Sequence, residues 1–223
     1  MNTRKNAMTV DVEDYFQVAA FDGIIKTSDW DSHSLRVSKN TRKILKLFKE
    51  HNVKATFFIL GWVAEREPLL IKDIAADGHE IANHGYMHQK AFNQTYEEFL
   101  EDITKSKKIL EDISGQKVIG YRAPSFSIDK RNEWAFDAIR ESGHLYSSST
   151  YPVAHDHYGT PEWSTEPFVL DNNLMEIPQA TIDLLGRRLP VGGGGYFRLF
   201  PLMLSEFFMR KFKEQHDQPY VFY

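Results

Sequence analysis

The 223-residue chain contains no cysteine. That excludes disulfide bridges and thiolate metal sites, and it suits a reducing compartment. The chain also lacks any apolar run of about 18 residues, the length that a membrane-spanning helix requires. Its first residues, Met1-Asn2-Thr3-Arg4-Lys5-Asn6, are polar and hold no signal-peptide core. A cytoplasmic location is the expectation. There is no excess of basic residues either. Lys and Arg number 27 against 31 Asp and Glu, a net charge of −4 with no basic stripe. Nucleic acid is therefore not an expected partner. Repeats and low-complexity linkers are missing, which points to one domain over residues 1–223.

What is present alternates between two periodicities. Apolar and β-branched runs at 7–12, 54–60, 80–83, 118–121, 145–149, 175–178 and 220–223 read as strands. Between them lie helical stripes. Val37, Thr41, Ile44, Leu45 and Phe48 form one, and Leu69, Leu70, Ile71 and Ile74 form a second behind Pro68. Thr95-Tyr96-Glu97-Glu98 has the form of a capping box ahead of Phe99, Ile103, Leu110 and Ile113. Asp129 is placed to cap the next helix and Gly143 to end it. Leu202, Phe207, Phe208 and Phe212 mark a last helix, and 150–168 reads as a long loop. Strands alternating with helices imply a parallel α/β fold, in which chemistry gathers at the carboxyl ends of the strands.

Three clusters fall at such ends. His84-Gly85-Tyr86-Met87-His88 places two imidazoles four residues apart, and Asp11-Val12-Glu13-Asp14 is an acidic cluster. Two imidazoles and one carboxylate suit zinc with an open position. A second carboxylate could then act as general base. Asp11 and Glu13 alternate to one side if the strand persists, and Asp14 joins them if it breaks. Arg122-Ala123-Pro124-Ser125-Phe126 offers a guanidinium to hold and ionise such a base. The bland alternatives are solvated carboxylates, a surface turn and an ordinary ion pair.

Together and in this order, the motifs resemble the polysaccharide deacetylases of carbohydrate esterase family 4, the nodulation-type deacetylase domain. The segments Thr9–Phe16 and Gly192–Arg198 look like a bacterial subgroup associated with exopolysaccharide biosynthesis. The resemblance implies a distorted, incomplete (β/α)7 barrel and hydrolysis of N-acetyl groups from an amino-sugar polysaccharide, with a divalent metal, zinc, as cofactor. It implies Asp11 as general base, Arg122 as its partner, and His84 and His88 as metal ligands. The acidic ligand is Glu13 by strand alternation or Asp14 by side-chain type, with Glu13 favoured. Tyr15, Phe16, Tyr86, Pro124, Ser125 and Phe126 are the candidate substrate contacts, with a backbone N–H near Ser125–Phe126 as oxyanion donor. Trp62 is equally placed for sugar stacking or for the core, and Trp163 is a further aromatic near a loop end for which core packing is the plainer reading.

The chain departs from the pattern in two places. Ser125 intervenes between Pro124 and the aromatic Phe126. The family's distal catalytic histidine has no counterpart before the chain stops at Tyr223, so a carboxyl-terminal segment is expected to be lacking. His155, His157 and His216 are the possible substitutes, with surface positions the plainer expectation. His79 is expected to be structural, while His33, His51 and His144 carry no motif. The glycine run at 192–195 lacks the Lys-Ser/Thr of a phosphate loop and reads as a flexible turn near the cleft. The competing functions are a catalytically weak carbohydrate-binding protein and a hydrolase of cyclic amides or ureides. The latter would require a small closed pocket.

Overall fold

The computed structural model describes residues 6–21, 23–154 and 159–223. In chain order the elements are β1 (Ala7–Val12), α1 (Val37–Glu50), β2 (Ala55–Ile59), α2 (Gly61–Arg66), α3 (Pro68–Ala76) and β3 (Glu80–Asn83). Then come α4 (Tyr96–Ser114), β4 (Gly120–Tyr121), α5 (Ala135–Glu141), β5 (Tyr146–Ser147), β6 (Phe168–Val169) and β7 (Met175–Glu176). The hairpin β8 (Thr181–Leu184) and β9 (Arg187–Pro190), α6 (Gly194–Leu199), α7 (Leu202–Gln215) and β10 (Val221–Phe222) complete the chain.

Eight strands form one curled half-barrel sheet in the order β10-β1-β2-β3-β4-β5-β7-β6. Every pairing in it is parallel except β6 with β7. The seven parallel strands coincide with the seven runs expected from sequence. β6 falls at the end of the stretch expected to be loop. It runs antiparallel because only a short turn separates it from β7, too short for a crossover.

Sequence explains how the layers close. β2 is apolar on both faces, as a strand covered on both sides must be. Phe57 enters the core with Leu45, Phe48, Leu70, Ile71, Ile74, Ile81 and Leu110. Phe58 lies under the Arg122 guanidinium, 4.0 Å from ring centroid to Cζ. α1 buries Val37, Thr41, Leu45 and Phe48, four positions of the expected stripe, with the fifth, Ile44, partly buried. Burying a residue such as Leu45 contributes about 1.5–3 kcal/mol. The α4 capping box is formed, with Thr95 Oγ1 accepting from Glu98 N–H and Glu98 accepting from Thr95 N–H. A second core joins Phe99 and Ile103 to Tyr121, Phe136 and Ile139.

Two local expectations are corrected. Asp129 does not cap an α-helix. Its carboxylate is held by the Arg131 side chain and N–H, and α5 begins only at Ala135. Gly143 does follow the helix end, with φ of 84°. The glycine run is not a free turn. Gly194 opens α6, and Gly192 packs so tightly that a Cβ there would lie 2.7 Å from Val221 O. The β8–β9 hairpin was not anticipated. It turns at Leu185 and Gly186, both with positive φ (52° and 75°), and a leucine is not a residue that announces such a turn.

Candidate metal and catalytic site

β1 presents Thr9 and Asp11 on one face, with Glu13 following directly after the strand. Glu13 Oε2 lies 2.8 Å from His88 Nε2 and 3.9 Å from His84 Nε2. One donor atom from each of the three residues fits within 4.8 Å of the others. The expected face alternation therefore brings Glu13 to the histidines.

The donor set is prepared for a cation. His84 is buried, and its Nδ1 lies 2.7 Å from the Arg122 carbonyl oxygen. A carbonyl only accepts, so Nδ1 carries the proton and Nε2 keeps its lone pair toward Glu13. Burial, the largest influence, pushes the His84 pKa down and favours the neutral ring that metal coordination needs. Glu13 Oε2 is itself shielded from solvent and faces the Nε2 atoms of both histidines. The residues thus fit a divalent ion with nitrogen and oxygen ligands. His88 takes a positive φ of 54°, a backbone conformation that turns the chain after Tyr86-Met87.

Asp14 is elsewhere. Its Oδ2 accepts from the N–H groups of Arg36 (2.6 Å) and Val37 (2.9 Å), and its Oδ1 from Tyr15 N–H (2.8 Å). It ties the start of α1 to the end of β1, and those donors occupy both its oxygens. As a metal ligand it is corrected by this engagement.

Arg122 is fully buried at the end of β4. Its Nη1 donates to Asp11 Oδ1 at 2.6 Å and to Thr9 Oγ1 at 2.9 Å. Nε and Nη2 donate to the carbonyl and hydroxyl oxygens of Ser148. The rings of Phe126 and Tyr223 stand 5.8 and 5.7 Å from its Cζ. Asp11 is thus fixed through one oxygen beside the Glu13–His84–His88 triad.

The other candidates divide. Ser125 and Phe126 both have positive φ (55° and 49°). The Phe126 N–H donates to Ala123 O at 3.1 Å, so of the two amides at this turn that one is already engaged. Pro124 is buried behind that turn. Phe16 is only 2% exposed and packs on Trp30, His33 and Trp62, so it and Trp62 are core residues, although Phe16 also borders the cleft beside His88. Tyr15 is half-buried under Arg36. Tyr86 points to the helix layer, donating to Glu65 and lying under Lys105. His216 has both ring nitrogens engaged, by Glu166 Oε1 (2.6 Å) and Thr181 O (3.1 Å). His155 and His157 lie outside the described residues.

Two clefts flank the triad. One of about 550 Å³ is lined by Asp11, Glu13, Leu47, Gly195, Arg198 and Tyr223. The other, about 540 Å³, is lined by Phe16, Trp30, Met87, His88, Lys90 and Asn93.

Sequence reasoning missed the polar support. Asn83 accepts from Gly85 N–H and donates to Ile103 O, holding the turn that carries His84. Its Nδ2 also faces His144 Nε2 at 3.3 Å, and His144 Nδ1 faces Ser142 Oγ. Only the position of Thr9, two residues before Asp11, was a usable signal.

The amino-acid pattern of residues 24–151 matches the family model for polysaccharide deacetylase. The chain belongs to the polysaccharide deacetylase family. The matched region begins after β1, so Asp11 and Glu13 lie outside it. Residues 148–223 match a domain of unknown function (DUF3473). Among relatives of this deacetylase-family chain is a peptidoglycan-N-acetylglucosamine deacetylase of Bacillus cereus, 41% identical over 43% of this chain and 35% of that protein. Another is a peptidoglycan deacetylase of Helicobacter pylori, 34% identical over 37% of this chain and 28% of that protein. The chain spans less than half the length of the curated relatives it matches. The crystal structure of a putative polysaccharide deacetylase from Mycobacterium smegmatis is similar with TM-score 0.58 and 29% identity, covering 78% of this chain and 58% of that one. A mutant of a CE4 family pseudoenzyme shares the fold over 99% of this chain and 56% of that one, at 17% identity and TM-score 0.55. No helix among the described residues is long and apolar enough to cross a membrane.

Proposed function

We propose that this chain hydrolyses N-acetyl groups on an amino-sugar polysaccharide in a reaction that depends on a divalent metal, with zinc the ion the donor set suits. The observation that carries the reading is the juxtaposition of the Glu13–His84–His88 triad with the buried Asp11–Arg122 pair. When bound, the ion supplies Lewis acidity, polarising an amide carbonyl and making water a nucleophile near neutral pH.

The chain's own residues do the rest. Asp11 takes the proton of the attacking water through the oxygen that Arg122 does not hold. Arg122 fixes that carboxylate and keeps it ionised. The Ser125 N–H receives the negative oxygen that develops on the acetyl carbonyl. His84 is held in its ligating tautomer by the Arg122 carbonyl, so one backbone unit serves both halves of the site.

The clefts on either side of the triad favour a polymer over a small cyclic amide. Relatives are peptidoglycan deacetylases, which supports N-acetylglucosamine as the acylated unit. An exopolysaccharide is the substrate suggested by the sequence subgroup. The test is acetate release from N-acetylglucosamine oligomers by the zinc-loaded chain and by chelated protein. Metal-dependent release is expected. Oligomer binding with no acetate at saturating zinc would overturn the enzymatic reading in favour of a binding protein.

A further inference from the structure

The segment matched by the domain of unknown function begins at Ser148, where the buried polar support of Arg122 also begins. Ser148 gives the guanidinium two of its four hydrogen-bond acceptors, and Asp11 and Thr9 give the others. Ser148 is in turn held by Gln179, whose Nε2 donates to its hydroxyl at 2.9 Å and to its carbonyl at 3.3 Å. The Ser148 hydroxyl proton goes to Ile177 O.

Beneath this lies Glu176, with no exposed surface. Its Oε1 accepts from Ser149 N–H (2.8 Å), Thr150 N–H (2.8 Å) and Thr150 Oγ1 (2.9 Å). Ser149 Oγ accepts from Ala123 N–H at 2.9 Å, the residue next to Arg122. β5 and β7 share only a two-residue register, Tyr146–Met175 and Ser147–Glu176. The strand register ends there; Ser148 N–H still donates to Tyr121 O and Gln179 N–H to Thr150 O, while the N–H groups of Ser149 and Thr150 are both taken by the Glu176 carboxyl group.

We propose that the 148–223 segment serves this site by building the seat of the Arg122 guanidinium, with Glu176 as the positioning residue that fixes the seat's shape. The proposal rests on the reading of Arg122 as the partner of Asp11. Glu176 touches no reacting group. It acts through Ser149 and Thr150 on the strand end whose Ser148 carries half of the guanidinium's hydrogen bonds. Burial pushes the Glu176 pKa up against the hydrogen bonds that lower it, and all three bonds to the loop are accepted by the one oxygen Oε1. A glutamine retains that oxygen and can accept the same three bonds from Ser149 and Thr150.

The test is hydrogen exchange at the Arg122 Nε–H, read by heteronuclear NMR in the full chain, with the Phe57 amide as a core reference. In Glu176→Ala, Arg122 exchange should rise about tenfold or more, the scale of one to two lost hydrogen bonds. The Phe57 amide should hold its wild-type rate, and Glu176→Gln should restore protection at Arg122. Unchanged exchange in Glu176→Ala, an equal rise at Phe57, or a glutamine variant as fast as alanine each overturns the proposal. If Glu176→Ala yields no folded protein, Thr150→Val decides. It removes one donor to Glu176 and should raise Arg122 exchange several-fold, whereas no rise overturns the proposal. Acetate release is read separately. A wild-type chain that releases none yet shows the Glu176 effect removes the deacetylase reading and upholds this one. Release without the Glu176 effect does the reverse.

Discussion

The two halves of the sheet hold their functional residues by different means. β1, β2 and β3 run for four to six residues each, and alternation along them delivers Thr9 and Asp11 to one face. Beyond β3, the strands β4, β5, β7 and β10 are two residues long. So short a ladder cannot fix a side chain, and the work passes to buried hydrogen bonds from Glu176, Gln179, Ser148 and Ser149. The first half places residues by backbone period. The second places them by side-chain chemistry, in which an unmatched buried polar group costs about 1–3 kcal/mol.

The largest expected effect lies at the Glu13–His84–His88 triad. His84→Ala removes a proposed ligand supplied by the regular half, and zinc titration should then detect no specific site. Retained stoichiometric binding would move the metal elsewhere. Next in size, Asp11→Asn should leave zinc affinity unchanged while acetate release falls roughly 10²–10⁴-fold, the usual scale of acid–base help. Full activity in that variant removes Asp11 as base.

Asp14→Ala sharpens the distinction between neighbouring carboxylates. It should cost about 1–2 kcal/mol in urea unfolding through the lost cap on α1, with zinc affinity intact. A loss of zinc binding without a loss of stability would reverse the roles given to Glu13 and Asp14. The effect confined to acid pH concerns His144, on the irregular side. Burial, aided by Lys107, lowers its folded pKa to about 3. The unfolded chain therefore binds this proton first as pH falls. The stabilisation is fully present above the unfolded value of 6.5 and is lost progressively toward about 3. Urea midpoints should fall over that window, and more shallowly in His144→Gln. Equal slopes would show that His144 is not the group responsible.

The legibility of the site follows the same division. The His84–His88 spacing, the acidic cluster and Arg122 were visible because each sits at the end of an apolar run. Glu13 over Asp14 was favoured by alternation, and the engagement of Asp14 by Arg36 and Val37 supplies the physical reason. Phe16 and Trp62 were ambiguous because an aromatic can serve a core or a sugar subsite equally well. Only their packing against Trp30 assigns them to the core. Ser148, Glu176 and Gln179 carried no local signal. Serine, glutamate and glutamine are ordinary surface residues, and nothing in spacing indicates that these three lie beneath an arginine 26 to 57 positions away.

The sequence by itself determined the seven parallel strands, the helices that cover them and the residue types that can hold a cation and a proton. Those depend on periodicity and on side-chain chemistry, both of which are local. Tertiary structure alone decided which carboxylate meets the histidines, which aromatics are core, and how a buried guanidinium is satisfied. Those depend on contacts between distant segments, which form only when the sheet curls and brings residues 148–223 against β1 and β4.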